Sequence, residues 1–226
     1  MSSSTASLNI LQYNVMKSRD EVMATLLRDP KIQDYDILAL QEPWRNPFTA
    51  TTHNPVADRF HLCFPKDVRE APARVCFFVS KNIDPNSWRF TDHTWDLCTL
   101  EVATRNSTKI VLQNVYNPTK GLECRISCLP QLRAALFAYR GGEQIILGDF
   151  NLHHEYWGGA TVRARDPESD DLINLIEEFE LDNMLPTGTI TYDDKNALSC
   201  IDLCYGTESV VTVSYTHLTL PTKRIV

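Results

Sequence analysis

Residues 144–154 read QIILGDFNLHH, a short apolar run set directly against an acid, an amide and two imidazoles. Ile145, Ile146 and Leu147 are bulky and bounded by Gly141, Gly142 and Gly148, which predicts a buried strand rather than a helix. Asp149, Asn151, His153 and His154 follow at its end. The rim of a rigid sheet is where open α/β folds place their sites, so Asp149 and Asn151 are candidates for ligand or metal contact. An Asp and an Asn after a glycine also make ordinary turns, and this segment alone leaves both readings open.

The same pattern recurs along the chain. Asn14 closes the run LNILQYNV, Gln41 and Glu42 close DYDILALQEP, Tyr116 and Asn117 close KIVLQNVYNP, and Asp202 lies in the late run SCIDLCYG. If these ends converge, hard oxygens from Glu42 and an acid such as Asp149 suit Mg²⁺, which keeps several waters when it also binds a phosphate. Each residue alone has a plainer reading: Asn14 as a loop cap, Glu42 as a solvated turn residue, Tyr116 as half-buried packing. Cys124 with Cys128, and Cys200 with Cys204, have spacings that zinc sites use. Because Ile201, Asp202 and Leu203 read as strand rather than turn, buried structural cysteines are the expectation. Lys66, Arg69 and Arg74 follow the run RFHLCFP in a polar connection, as a basic lip or a solvated loop.

The elements that must position these residues alternate in type. The runs at 8–15 and 34–43 read as strands, and a helix over about 19–27, stopped by Asp29 and Pro30, makes a βαβ-like opening. RFHLCFP, RVCFFVS, DLCTLEVAT and KIVLQNVYNP read as further strands with little helical signal between them, so part of the sheet is expected to be antiparallel. Leu129, Leu132, Leu136 and Tyr139 share one helical face, as do Leu172, Leu175, Ile176 and Phe179 after Ser169. GTITYD, SCIDLCYG and SVVTVSY read as closing strands. The sum is an α/β sandwich with two sheets inside and helices outside.

A chain of 226 residues with 43% hydrophobic residues can bury a sizeable core and is most economically one domain. Residues 1–7 lack the charged start and apolar stretch of a secretory signal, and no later run is apolar enough to span a bilayer, so the expectation is a soluble intracellular protein. Seven scattered cysteines fit a reducing compartment rather than a disulfide framework. A net charge of -7 opposes long-range attraction to nucleic acid, so a DNA-handling function would need a metal and a local basic patch.

With LQYNV, ALQEPW, NVYNP, GDFNLHH followed by YWGG, and SCIDL in this order, the chain resembles the endonuclease/exonuclease/phosphatase superfamily over about residues 8–205. Within it, the chain is most similar to the apurinic/apyrimidinic-type endonuclease domain of fungal LINE-type (non-LTR) retrotransposons. The resemblance implies a DNase I-like αββα sandwich and Mg²⁺-dependent phosphodiester cleavage, with Mn²⁺ as a substitute. It further implies nicking of target DNA to expose a 3′-hydroxyl for reverse transcription, nuclear work on genomic DNA, no membrane partner, and a parent protein fused to a reverse transcriptase. Mapped by motif, Glu42 ligates Mg²⁺ with Asn14 positioning the metal site, and Tyr116 contacts the scissile phosphate. Asp149 aligns or deprotonates the attacking water, while Asn151 holds a phosphate oxygen. His153, His154 and Arg74 fall to substrate binding, the two histidines by shaping the DNA-facing loop.

Asp202 in this family orients a catalytic histidine supplied by a later Ser-Asp-His motif. That motif is absent here: SYTHLTLPTKRIV follows, with His217 preceded by Thr216. Residues 1–7 are therefore read as a disordered start, 8–213 as the domain with its last strand and final motif incomplete, and 214–226 as a non-native tail. Two readings compete, a metal-dependent DNA endonuclease of impaired activity and a non-catalytic remnant that binds DNA or nothing. A phosphatase-like substrate is a third reading, against which YWGG after GDFNLHH favours the retrotransposon branch.

Overall fold

The structure, a computed structural model, describes residues 8–16, 20–44, 52, 54–66, 73–103, 108–119, 126–194 and 197–213. Arg69, Cys124, His217 and the segments 1–7 and 214–226 lie outside the described residues. The chain opens with β1 (Ile10–Asn14), α1 (Asp20–Arg28), α2 (Pro30–Gln33) and β2 (Ile37–Gln41), and β1 and β2 are parallel, as the βαβ-like pattern predicts. Asp29 and Pro30 do more than stop α1. The Asp29 side chain accepts from the Lys31 N–H and Pro30 takes the first turn of α2, so the pair ends one helix and caps the next. β3 (Phe60–Cys63) and β4 (Val75–Ser80) join antiparallel to give a first sheet in the order β1-β2-β4-β3.

The second sheet contains β5 (Trp88–Thr94), β6 (Leu97–Ala103), β7 (Lys109–Tyr116), β8 (Glu143–Asp149), β9 (Leu181–Asn183) and, after the ribbon β10 (Tyr192–Asp194) and β11 (Ala197–Ser199), β12 (Asp202–Thr207). Its order is β5-β6-β7-β8-β12-β9, and only the β7–β8 pair is parallel. α3 (Leu129–Ala138) crosses between β7 and β8, while α4 (Glu155–Gly158) and α5 (Ser169–Glu178) follow β8. Strand alternation sorts the side chains into layers. Ile37, Ala39, Val75, Phe77 and Val79 of the first sheet meet Cys98, Leu100, Leu112, Ile145 and Leu147 of the second. On the outer face of the first sheet, Leu38, Leu40 and Phe78 pack beneath Met23 and Leu27 of α1. Behind the second sheet, Val115, Ile146 and Tyr205 pack with Leu132 and Leu136 of α3 and Leu172 and Ile176 of α5. The result is the expected DNase I-like αββα arrangement. Among the described residues no helix is long and apolar enough to cross a membrane.

Two segments expected as strands depart from that reading, and β5 and β9 fall where no strand is expected. The segment SVVTVSY, expected as a strand, is helical in α6 (Glu208–Val213) as far as it is described. β12 already has β8 and β9 on its two sides, so the chain leaves the sheet. The Thr207 and Ser209 hydroxyls both donate to Glu143, and Val210 turns into the core between the sheets, so packing overrides the β-propensity of the valines. Of GTITYD, only the end lies in a strand, because the Thr191 hydroxyl instead accepts from the N–H groups of Ile201 and Asp202.

Inward-facing polar residues join the sheets just below the rim. Gln41 Nε2 donates to Asn114 Oδ1 at 2.6 Å, and Asn114 Nδ2 donates to the carbonyls of Leu40 at 3.2 Å and Cys76 at 2.9 Å. Both side chains are fully buried. Asn114→Ala would strand the Gln41 amide in an apolar gap and is expected to cost about 2–4 kcal/mol. Urea denaturation monitored by circular dichroism measures this, and a loss under about 1 kcal/mol would show that the amide bridge contributes little.

Candidate active site

The strand ends of both sheets meet at one rim. β1 and β2 run in parallel and end at Asn14 and Gln41, and β7 and β8 run in parallel and end at Tyr116 and Asp149, which are register partners. β12 runs the other way, so its first residue, Asp202, pairs with Asp149. Gly148 lets β7 and β8 come this close. Its φ is +146°, and a Cβ there would sit 1.9 Å from the Val115 carbonyl oxygen.

Asp149 is held from both sheets. Its Oδ2 accepts from Asn14 Nδ2 at 2.7 Å and its Oδ1 from the Asn151 N–H at 3.0 Å. Asn14 is itself fixed by a turn in which its Oδ1 accepts from the Met16 N–H at 2.8 Å. Asn151 donates through Nδ2 to the Asn117 carbonyl at 2.9 Å, and the Asn117 N–H donates to the Asp149 carbonyl at 2.8 Å. Met16, Glu42 and Asn151 all have positive φ, at 56°, 48° and 49°. Non-glycine residues in that region carry about 1–2 kcal/mol of strain each, which the surrounding bonds must hold. For Glu42 the turn breaks strand alternation, and its N–H donates to the Arg74 carbonyl at 2.7 Å. Its carboxylate is hydrogen-bonded with the Tyr116 hydroxyl.

The electrostatics are those of crowded acids. Burial pushes the Asp149 carboxyl well above the usual range, the charges of Asp202 and Glu42 push it further, and the hydrogen bonds from Asn151 and Asn14 oppose them. Burial raises Asp202 to about 7 against a hydrogen bond from Thr191. Asp202 Oδ1 is buried and has no hydrogen-bond partner among the described residues. The Tyr116 hydroxyl is pushed up by burial and then by Glu42, so it stays a proton donor.

This donor set suits one kind of cation. Among the described residues no group of three or more His, Cys, Asp or Glu side chains is placed to cage an ion. What converges is oxygen: two carboxylates at the rim, an unpartnered buried acid oxygen and flanking amides, which fits a hard cation that keeps most of its waters and takes one or two carboxylates. Glu42 and Asp149 are the residues that could hold it. Of the cysteines with zinc-like spacing, Cys128 and Cys200 are buried free thiols, and Cys204 Sγ lies 3.5 Å from Met184 Sδ.

His153 and His154 part company. His153 is half exposed, with Nδ1 3.1 Å from Asp166 Oδ2. His154 is turned inward, where it caps α4 by accepting from the Tyr156 N–H, and its ring lies 5.4 Å from that of Trp157. Trp157 in turn is buried and donates to the Leu152 carbonyl, so the YWGG segment folds back into the core and leaves Tyr156 exposed. Arg74 sits at the rim in a two-bond ion pair with Asp96, at 2.5 and 2.6 Å, while Lys66 is exposed.

Residues 110–222, half of the chain, match the family described as endonuclease-reverse transcriptase. The chain belongs to that family. Membership places it among the nucleases and phosphodiesterases of the endonuclease/exonuclease/phosphatase superfamily. Three of the solved structures that share its fold illustrate the likeness. The endonuclease domain of TRAS1, a telomere-specific non-LTR retrotransposon, is 16% identical with a TM-score of 0.67, covering 91% of this chain and 88% of that one. The AP endonuclease LMAP from Leishmania major is 13% identical with a TM-score of 0.67, covering 90% and 80%. The catalytic domain of Xenopus laevis APE2 is 16% identical with a TM-score of 0.63, covering 90% and 83%. At such identities the likeness is one of fold. A search of curated proteins found no match.

The rim of this endonuclease family member also holds Asp96, which sequence reasoning missed. Searching the ends of strands finds the rim only where strands run in one direction. In a mixed sheet the starts of antiparallel strands share that rim, and Asp96 stands directly before β6 as Asp202 stands at the start of β12.

Proposed function

We propose that the chain hydrolyses DNA phosphodiesters with Mg²⁺, nicking target DNA to expose a 3′-hydroxyl for a reverse transcriptase carried by the same parent protein. The observation that carries this reading is the convergence of Asn14, Glu42, Tyr116, Asp149, Asn151 and Asp202 from both sheets on one rim. The family described as endonuclease-reverse transcriptase supports DNA as substrate and the polymerase as neighbour. Glu42 is placed to hold the cation, with Asn14 fixing the acid beside it. Asp149 keeps lone pairs beyond those used by Asn14 and Asn151, and these orient a water and take its proton as the water oxygen bonds to phosphorus. Asn151 gives a hydrogen bond from its second amide N–H to a non-bridging phosphate oxygen, and the Tyr116 O–H, bonded to Glu42 in the free site, turns to another once Glu42 takes the cation. A cation held by Glu42 would supply charge stabilisation at the phosphate and at the departing 3′-oxygen, which takes its proton from solvent water as the P–O bond breaks. Asp202 Oδ1, buried and without a hydrogen-bond partner among the described residues, stands where an imidazole N–H would serve the leaving-group side.

Relaxation of supercoiled plasmid with Mg²⁺ tests the reading directly, and a calorimetric titration with Mg²⁺ or Mn²⁺ tests the cation. The heat of binding is expected to disappear in Glu42→Ala. An unchanged isotherm removes Glu42 as a ligand.

A further inference from the structure

One cluster at the rim has no part in the hydrolysis as described. Arg74 directly precedes β4 of the first sheet and Asp96 directly precedes β6 of the second. Arg74 Nε and Nη2 donate to Asp96 Oδ1 and Oδ2 at 2.5 and 2.6 Å, and the side chains are 18% and 6% exposed. The backbones run parallel to this bridge: the Arg74 N–H donates to the Trp95 carbonyl at 2.6 Å, the Arg74 carbonyl accepts from Glu42, and the Asp96 carbonyl accepts from the Tyr116 N–H at 2.9 Å. The guanidinium lies over the Tyr116 ring, 4.8 Å from its centroid. Tyr116 closes the circuit through its hydrogen bond with Glu42.

We infer that Arg74 and Asp96 are a positioning pair, a clamp across the two sheets that sets the place of the Glu42 carboxylate relative to the Tyr116 hydroxyl. This rests on the reading of the rim as a phosphodiesterase site. The planar guanidinium suits the task because it spans both oxygens of one carboxylate while stacking on a ring, which a lysine ammonium cannot do. A charge committed to Asp96 and Tyr116 is also poorly placed as a free phosphate contact. The two acids divide accordingly, Glu42 facing the cation site and Asp96 neutralising the arginine that would otherwise compete for Glu42.

The test compares Arg74→Met, Arg74→Lys, Asp96→Asn and the Arg74→Met/Asp96→Asn double variant. Asp96→Asn is the sharpest, because no Asp96 side-chain contact to Tyr116 or Glu42 enters the circuit. Nicking kcat is expected to fall about ten-fold or more in each single variant, with DNA affinity and its salt slope unchanged, and the double variant should be no worse than either. Arg74→Lys, which keeps the charge and guards against loss of folding, should recover only part of the rate. Two readouts need no turnover: Mn²⁺ affinity should weaken several-fold, and the 13Cζ resonance of Tyr116 should move in Asp96→Asn while those of other tyrosines stay. The proposal is overturned if Arg74→Met weakens DNA binding and flattens its salt slope while Asp96→Asn does not, since Arg74 is then a phosphate contact. It is also overturned if the Tyr116 resonance and Mn²⁺ affinity are unmoved in Asp96→Asn. A wild-type chain that never nicks plasmid would instead sink the proposed function, leaving these two readouts to judge the clamp alone.

Discussion

Exchanging residues 214–226 for a continuation that carries Ser-Asp-His at the family's distance from Asp202 is expected to raise Mg²⁺-dependent plasmid nicking on the order of a hundred-fold or more. Asp202 stands ready for it. Its carboxyl is anchored by Thr191, paired in register with Asp149 and raised to about 7 by burial, and its Oδ1 has no hydrogen-bond partner among the described residues. An acid in that state suits an imidazole N–H, which would fix the ring's tautomer and orient its other nitrogen toward the phosphate. His217 follows Thr216 instead of the motif's Asp. Asp202→Ala should therefore hurt the exchanged chain strongly and the present one little. Relaxed-circle formation measures both, and equal full activity with and without the exchange would mean that the Ser-Asp-His step is dispensable.

Asp149→Asn is expected to lower nicking by about a thousand-fold in the exchanged chain, within the range for loss of a positioned base. The substitution keeps shape but not acceptors. Both Asp149 oxygens accept hydrogen bonds, one from Asn14 and one from Asn151, so an amide nitrogen must face one of those donors. It also cannot take the proton of the attacking water. Stability should change little, because the lost hydrogen bond is offset by relief of repulsion from Asp202 and Glu42. The diagnostic result is therefore an inactive enzyme with a melting temperature within a few degrees of the parent. Nicking within ten-fold of the parent would remove Asp149 from the water-activating role.

The two predictions lean on residues the sequence showed at once, and the reason is physical. Apolar runs such as ILALQ and IILGD are bounded sharply, so their ends, and the polar residues there, can be placed from periodicity alone. β5 escaped because its sequence, WRFTDHT, is an edge strand of mixed polarity with no fully buried residue. α6 was misread because its valines carry strand propensity while their neighbours in space impose a turn. Within the site, Glu42 and Asp149 were visible as acids after strands, whereas the Arg74–Asp96 pair depends on which strands run antiparallel. His154 reads from the GDFNLHH segment as shaping a DNA-facing loop, but that it does so by accepting from the Tyr156 N–H and packing on Trp157 is visible only in three dimensions.

The hydrogen bond between Asn14 and Asp149 joins side chains 135 residues apart, and that span has a consequence for the chain as it is made. At ribosomal speeds of about 5–20 residues per second, roughly 7–27 s separate the emergence of one partner from the other. Within that interval β1 to β4 are made before any strand of the second sheet, and until Cys98, Leu100 and Leu112 follow, Ile37, Ala39, Val75, Phe77 and Val79 have nothing to cover their inner face. Pairings this distant in sequence also form late and slowly even when the whole chain is present. Each nascent molecule thus passes through a stage in which part of the candidate rim is already made, and the apolar surface beneath it is open to chaperones, to proteases and to other unfinished chains.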